Sequence, residues 1–176
     1  NALLFVATFG TTTWAGAAHQ GINVLDEPAR IFSGLPYGLA LMLILGVHEM
    51  GHYVAARVHK MNVSLPYFIP SPVGLGTFGA FIQLREPSSD RRALFDVGVA
   101  GPLAGLVATL IALLVGLRYS EVLPVQEQSV ATAHHGAEIG TSVLFAAMAK
   151  LSLGAQLAEG HRLALHPLAF AGWLGL

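Results

Sequence analysis

The stretch Gly46-Val47-His48-Glu49-Met50-Gly51-His52 sets two imidazoles and a carboxylate within five residues. On a helix, positions four apart share a face, with Cβ atoms about 5–6 Å from each other. His48 and His52 can then point two nitrogen donors at one place. Imidazole pairs suit zinc, which takes nitrogen, sulfur or oxygen donors in a tetrahedral set. Glu49 is placed to take a proton from a water that zinc acidifies to a pKa of about 7. Gly51 leaves room beside the metal. The chemistry predicted is metal-assisted hydrolysis with one Zn2+ ion, ligands His48 and His52, and Glu49 as general base. Two other readings stand beside it: a packing or proton-relay network, and a soluble zinc hydrolase.

The helix that must carry these groups is apolar before it reaches them. Leu39 to Val47 holds no charge and no strong hydrogen-bonding side chain. The whole chain shares this bias: 54% apolar and 11% charged residues in 176, with a mean hydropathy of +0.63. Soluble domains average about 25% charged, so lipid is the better solvent. Ionisable groups inside a membrane helix are costly and mark function, which favours the metal over a packing network. A soluble hydrolase leaves the apolar run unexplained. The net charge of -1 gives no footprint for nucleic acid. The absence of cysteine excludes disulfides and thiolate ligands.

A span needs about 20 mostly apolar residues. Residues 1–18, 35–58 and 94–117 meet or approach this, and a fourth span starts near Leu163 and runs to residue 176. The expected fold is a polytopic transmembrane helix bundle, all-α apart from a short membrane-associated β-hairpin, in one core domain over residues 1–176. Thr141–Gly154 is too short and interrupted to span and reads as an interfacial or re-entrant helix. Arg57, Lys60, Arg85, Arg91 and Arg92 make the second loop the most basic, so the positive-inside rule puts it in the cytoplasm. His48 then lies about 20 Å along its span, toward the cytoplasmic end. That loop also carries Pro66, Pro70 and Pro72, which break helices, and then Thr77–Leu84, which reads as a short strand on the cytoplasmic side. Gly101 and Gly105, four apart, form a small-residue face for close helix packing. The chain opens on Asn1 and ends within apolar sequence, and is read as a piece of a longer protein.

The remaining polar residues have plainer readings. Asp96 suits the first turn of the third helix, where a carboxylate meets the dipole. His59 and Lys60 anchor the second span at the headgroups, and Arg91 and Arg92 meet anionic lipid. His134 and His135 lie in a solvated loop. His166, before Pro167, caps a helix or sits at the interface. Trp14 and Trp173 fit either the interfacial belt or helix packing.

The sequence HEMGH in an apolar span, the loop GTFGAFIQLREP and the run RRALFDVGVAGPLAG that opens the next span together resemble the site-2 protease family of intramembrane zinc metallopeptidases. The resemblance covers roughly Gly34 to Leu117. It implies His48 and His52 as zinc ligands and Glu49 as the catalytic glutamate. It also implies that Gly76, Thr77, Phe78, Gly79, Ala80, Phe81 and Ile82 receive an extended substrate, a transmembrane segment of another protein. The family's third ligand is an aspartate followed by glycine in a later span. The only aspartates here are Asp26, Asp90 and Asp96, none before glycine, so that ligand is expected beyond Leu176. The lipid bilayer is the other partner, and a bacterial plasma membrane is expected over an organelle. Two rival functions remain: an inactive relative that binds membrane helices, and a zinc transporter or sensor.

Overall fold

The computed structural model describes residues 1–85, 90–124, 142–154 and 161–176. Helix α1 (Ala2–Ala18) is followed by 3-10 turns over Pro28–Gly34. These lead straight into α2 (Leu35–Val58), whose Pro36 sits in the first turn, where a missing N–H costs nothing. Strands β1 (Tyr67–Pro70) and β2 (Thr77–Phe81) form an antiparallel hairpin. Helix α3 (Arg91–Arg118) starts at Asp90, whose carboxylate accepts from the Arg92 N–H at 2.9 Å. Strands β3 (Glu121–Pro124) and β4 (His161–Ala164) form a second antiparallel ribbon. Helix α4 (Val143–Leu153) lies between them in sequence, and α5 (Pro167–Leu174) follows.

Among the described residues, two helices are long and apolar enough to cross a membrane, Pro28–Val58 and Arg91–Arg118. These match the expected second and third spans. Helix α1, at 17 residues, is about 26 Å long. The expected fourth span begins differently. Leu163 and Ala164 pair with β3, and Pro167 then starts a helix of 8 residues. Proline pushes the residue before it into extended backbone, and His166 is extended with ψ 145°. Its ring accepts from the Leu168 N–H at 3.2 Å, the capping role read from sequence. Asp96 also moves. The helix starts earlier than expected, so Asp90 holds the cap and Asp96 pairs with His59 at 3.0 Å. His134 and His135 lie outside the described residues.

Small and hydroxyl side chains share the interior with Tyr37, Leu113 and Leu117, while many other large apolar ones face outward. Leu43, Val107 and Ile111 are all more than half exposed. Thr8, Thr12 and Thr13 are buried. Their hydroxyls donate to carbonyls one turn back, those of Leu4, Thr8 and Phe9, at 2.7–2.8 Å. They therefore cost no unsatisfied group.

The first hairpin does not sit at one end of the helices, as its sequence suggests, but runs along them. At its open end Val63 packs on Ala56 near the end of α2. At its turn the Leu75 carbonyl meets the Tyr37 hydroxyl in the first turn of α2. The β1 strand lies on α1, with Phe5 and Phe68 rings edge to face at 5.2 Å. The helices supply both the apolar cover and the hydrogen-bond donors that a two-stranded ribbon lacks on its own.

Candidate metal centre

Helical spacing brings His48 and His52 together as the sequence predicts. Their Nε2 atoms are 3.1 Å apart. Zn–N bonds of about 2.0–2.1 Å at the tetrahedral angle put two ligand nitrogens about 3.3–3.4 Å apart. The pair fits one zinc ion with almost no rearrangement.

The orientation of His52 comes from α3. Its Nδ1–H donates to the Val97 carbonyl at 2.7 Å. That fixes the neutral tautomer with its lone pair on Nε2, the arrangement that ligating histidines use. The close approach needs glycine. A Cβ on Gly101 would collide with the His52 ring, and one on Gly105 would lie 2.9 Å from His48 Nδ1. On the facing side, a Cβ on Gly51 would sit 2.9 Å from that of Ala104. The glycine pair read as a packing face thus packs against the two imidazoles themselves.

Glu49 is buried, 5% exposed. The backbone of Ile82, the residue after β2, lies near its carboxylate. The hairpin therefore meets the site at one end only. Of the residues expected to take substrate, Ile82 reaches Glu49 and Thr77–Phe81 form β2. Gly76 belongs to the turn at the far end, against α1. Phe78 is 72% exposed, and Phe81 stacks on Tyr67 at 5.5 Å. β1 borders α1, and among the described residues no strand lies beside the outer edge of β2. Among the described residues no group of three or more His, Cys, Asp or Glu surrounds a metal position, and the expected third ligand is not within them.

Val97 escaped sequence reading, since it acts through its carbonyl and leaves no side-chain signal. Ile82 was expected among the residues that take substrate, and its place beside Glu49 was not. Gly101 was visible as a packing residue, and only the fold shows what it packs on.

The family model described as Peptidase family M50 matches residues 37–176. The chain is 35% identical over 149 residues to "Probable zinc metalloprotease EGY1, chloroplastic" of Oryza sativa subsp. japonica, covering 82% of this chain and 24% of that protein. It is 34% identical over 155 residues to "Probable zinc metalloprotease EGY2, chloroplastic" of Arabidopsis thaliana, covering 88% and 27%. It is 30% identical over 193 residues to the EGY1 protein of Arabidopsis thaliana, covering 99% and 35%. The chain thus spans a quarter to about a third of the length of these curated relatives. Their names place them in chloroplasts, so the expectation of a bacterial plasma membrane finds no support. No solved structure matches the chain. The His48–His52 motif, the hairpin and the glycine face all fall within the matched residues, and the chain belongs to peptidase family M50, the site-2 protease family.

Proposed function

We propose that this protein is a zinc-dependent intramembrane endopeptidase that cuts transmembrane segments of other membrane proteins. The observation that carries the proposal is the imidazole pair at 3.1 Å with a buried glutamate beside it at the end of an open strand. His48 and His52 would hold the ion through Nε2, with an aspartate from beyond Leu176 as third ligand. When bound, zinc supplies a Lewis acid for the scissile carbonyl and water acidic enough to ionise near neutral pH. Glu49 accepts the proton of the attacking water and returns it to the leaving amine. The Val97 carbonyl keeps the His52 tautomer fixed through both transfers.

The substrate must present a bare peptide bond, which a helix conceals. Residues Gly76 to Ile82 would hold the unwound segment by strand addition on the β2 edge. Unpaired backbone is tolerated at membrane depth only where protein or a water-filled cavity meets it. A guest strand satisfies the open edge. The protein is then a multi-pass membrane protein with the catalytic groups toward the cytoplasmic end of α2.

The test is the full-length protein in liposomes with a single-span reporter peptide. Cleavage that a chelator stops and zinc restores is the expected result. Zinc entering the vesicles with the reporter intact would replace this reading with a transporter. Tight reporter binding without cleavage, zinc being bound, would replace it with a helix-binding relative.

A further inference from the structure

The turn between β1 and β2 is held by side chains from both helices. The Thr11 hydroxyl donates to the Gly76 carbonyl at 2.6 Å, and the Tyr37 hydroxyl donates to the Leu75 carbonyl at 3.1 Å. Two successive carbonyls therefore accept from hydroxyls of two different helices. Tyr37 is fully buried, and its ring stacks on Phe170 at 5.8 Å. The approach is close enough that a Cβ on Gly76 would lie 2.5 Å from the Thr11 carbonyl oxygen. Gly76 also has φ +81°, a conformation other residues rarely take.

The other end of the hairpin is fixed independently. Ser64 N–H donates to the Gln83 carbonyl, and Gln83 N–H donates to the Ser64 hydroxyl, both at 2.9 Å. Val63 and Leu84 form a bridge. Between the two anchors the ladder is irregular. The register shifts between Ile69 and Pro70, and Gly79 has φ +102°. The Thr77 hydroxyl spans the irregularity, donating to Ile69 O at 2.8 Å and accepting from Gly79 N–H at 3.0 Å. This is the point about which the ribbon would pivot if its turn were free.

Strand addition alone does not select a bond to cut. A guest strand that slides by two residues, about 7 Å, regains all its main-chain bonds and the same side-chain facing. Selection requires that the edge stand at a constant height relative to Glu49. From Gly76 to Ile82 the chain covers about 20 Å, with one end on the helices and the other at the Glu49 carboxylate.

We propose that Thr11 and Tyr37 are positioning residues that stop the hairpin turn and so fix which peptide bond of the substrate is cut. This rests on the reading of β2 as the substrate edge and Glu49 as the base. The measurement is the set of cut sites on a single-span alanine–leucine peptide with a central Asn-Gly break, in liposomes with the full-length protein, read by mass spectrometry. Tyr37→Phe and Thr11→Val each remove one hydroxyl and keep the packing. Each should raise KM about three- to tenfold, the scale of one hydrogen bond. Each should also bring a second cut, two residues away, to about a tenth of the product. Zinc content and kcat at the main site should hold. Thr11→Ser keeps the donor and should keep the single cut. A single unshifted cut in both Tyr37→Phe and Thr11→Val, with KM unchanged, overturns the proposal. If either variant loses zinc, the other alone decides. A peptide left intact by the wild type, or cut equally by Glu49→Gln, overturns the endopeptidase reading and the register with it.

Discussion

Glu49 is the one buried carboxylate on the motif helix, and the proposed function gives it the proton transfer and gives His48 and His52 the metal. Glu49→Gln keeps the size of the side chain and removes the base. Cleavage should fall about 10²–10⁴-fold, while zinc bound per molecule, read by atomic absorption, stays at the wild-type level. His52→Ala should show the opposite pattern, losing metal first and activity as a result. Equal zinc loss in both variants would mean that Glu49 is a ligand or a structural group, not the base. These candidates were legible in the sequence because all three side chains lie within five residues, with the two histidines on one helical face. The Val97 carbonyl was not legible. Every residue has a carbonyl, and only the packing of α3 decides which one meets His52.

At the scale of elements, the site depends on how closely α3 approaches α2. A methyl at Gly101 would strike the His52 ring. Gly101→Ala should turn that imidazole away from Val97 and lower zinc affinity about 10–100-fold, the usual cost of losing the orientation of a ligand. Competition with a chromogenic chelator measures it, and unchanged affinity would show that the helices simply shift apart. The hairpin gives the complementary case. Ala80 pairs with Phe68 in mid-strand, and a proline there disrupts the strand. Ala80→Pro should abolish cleavage and leave zinc in place; retained cleavage would remove β2 from substrate binding. The strand itself was readable from Thr77–Leu84, and its partner Tyr67–Pro70 was hidden by the surrounding prolines. The second ribbon was unreadable. His161–Ala164 pairs with Glu121–Pro124, a partner far away in sequence, and local pattern alone carries no such information.

For the whole molecule, the basic residues predict a sidedness that labelling can read. The chain has no cysteine, so single cysteines report without background. Lys60→Cys and Arg85→Cys should react with an impermeant maleimide from the cytoplasmic side, and Glu27→Cys only from the opposite side. Labelling of Glu27→Cys and Lys60→Cys from one side would mean that α2 does not cross. The two longest helices were predicted almost to their ends, because a span-length apolar run is a strong local signal. The hairpin's course along α2 was not, since it depends on donors at Thr11 and Tyr37 that lie far from it in sequence. The same separation has a consequence in time. His48 and His52 are synthesised together, yet the carbonyl that aims His52 follows it by 45 residues. At about 5–20 residues per second, the nascent chain holds its imidazoles without their orienting partner for about 2–9 s. The imidazole pair of the proposed metal centre is therefore aimed only once the start of α3 has been made.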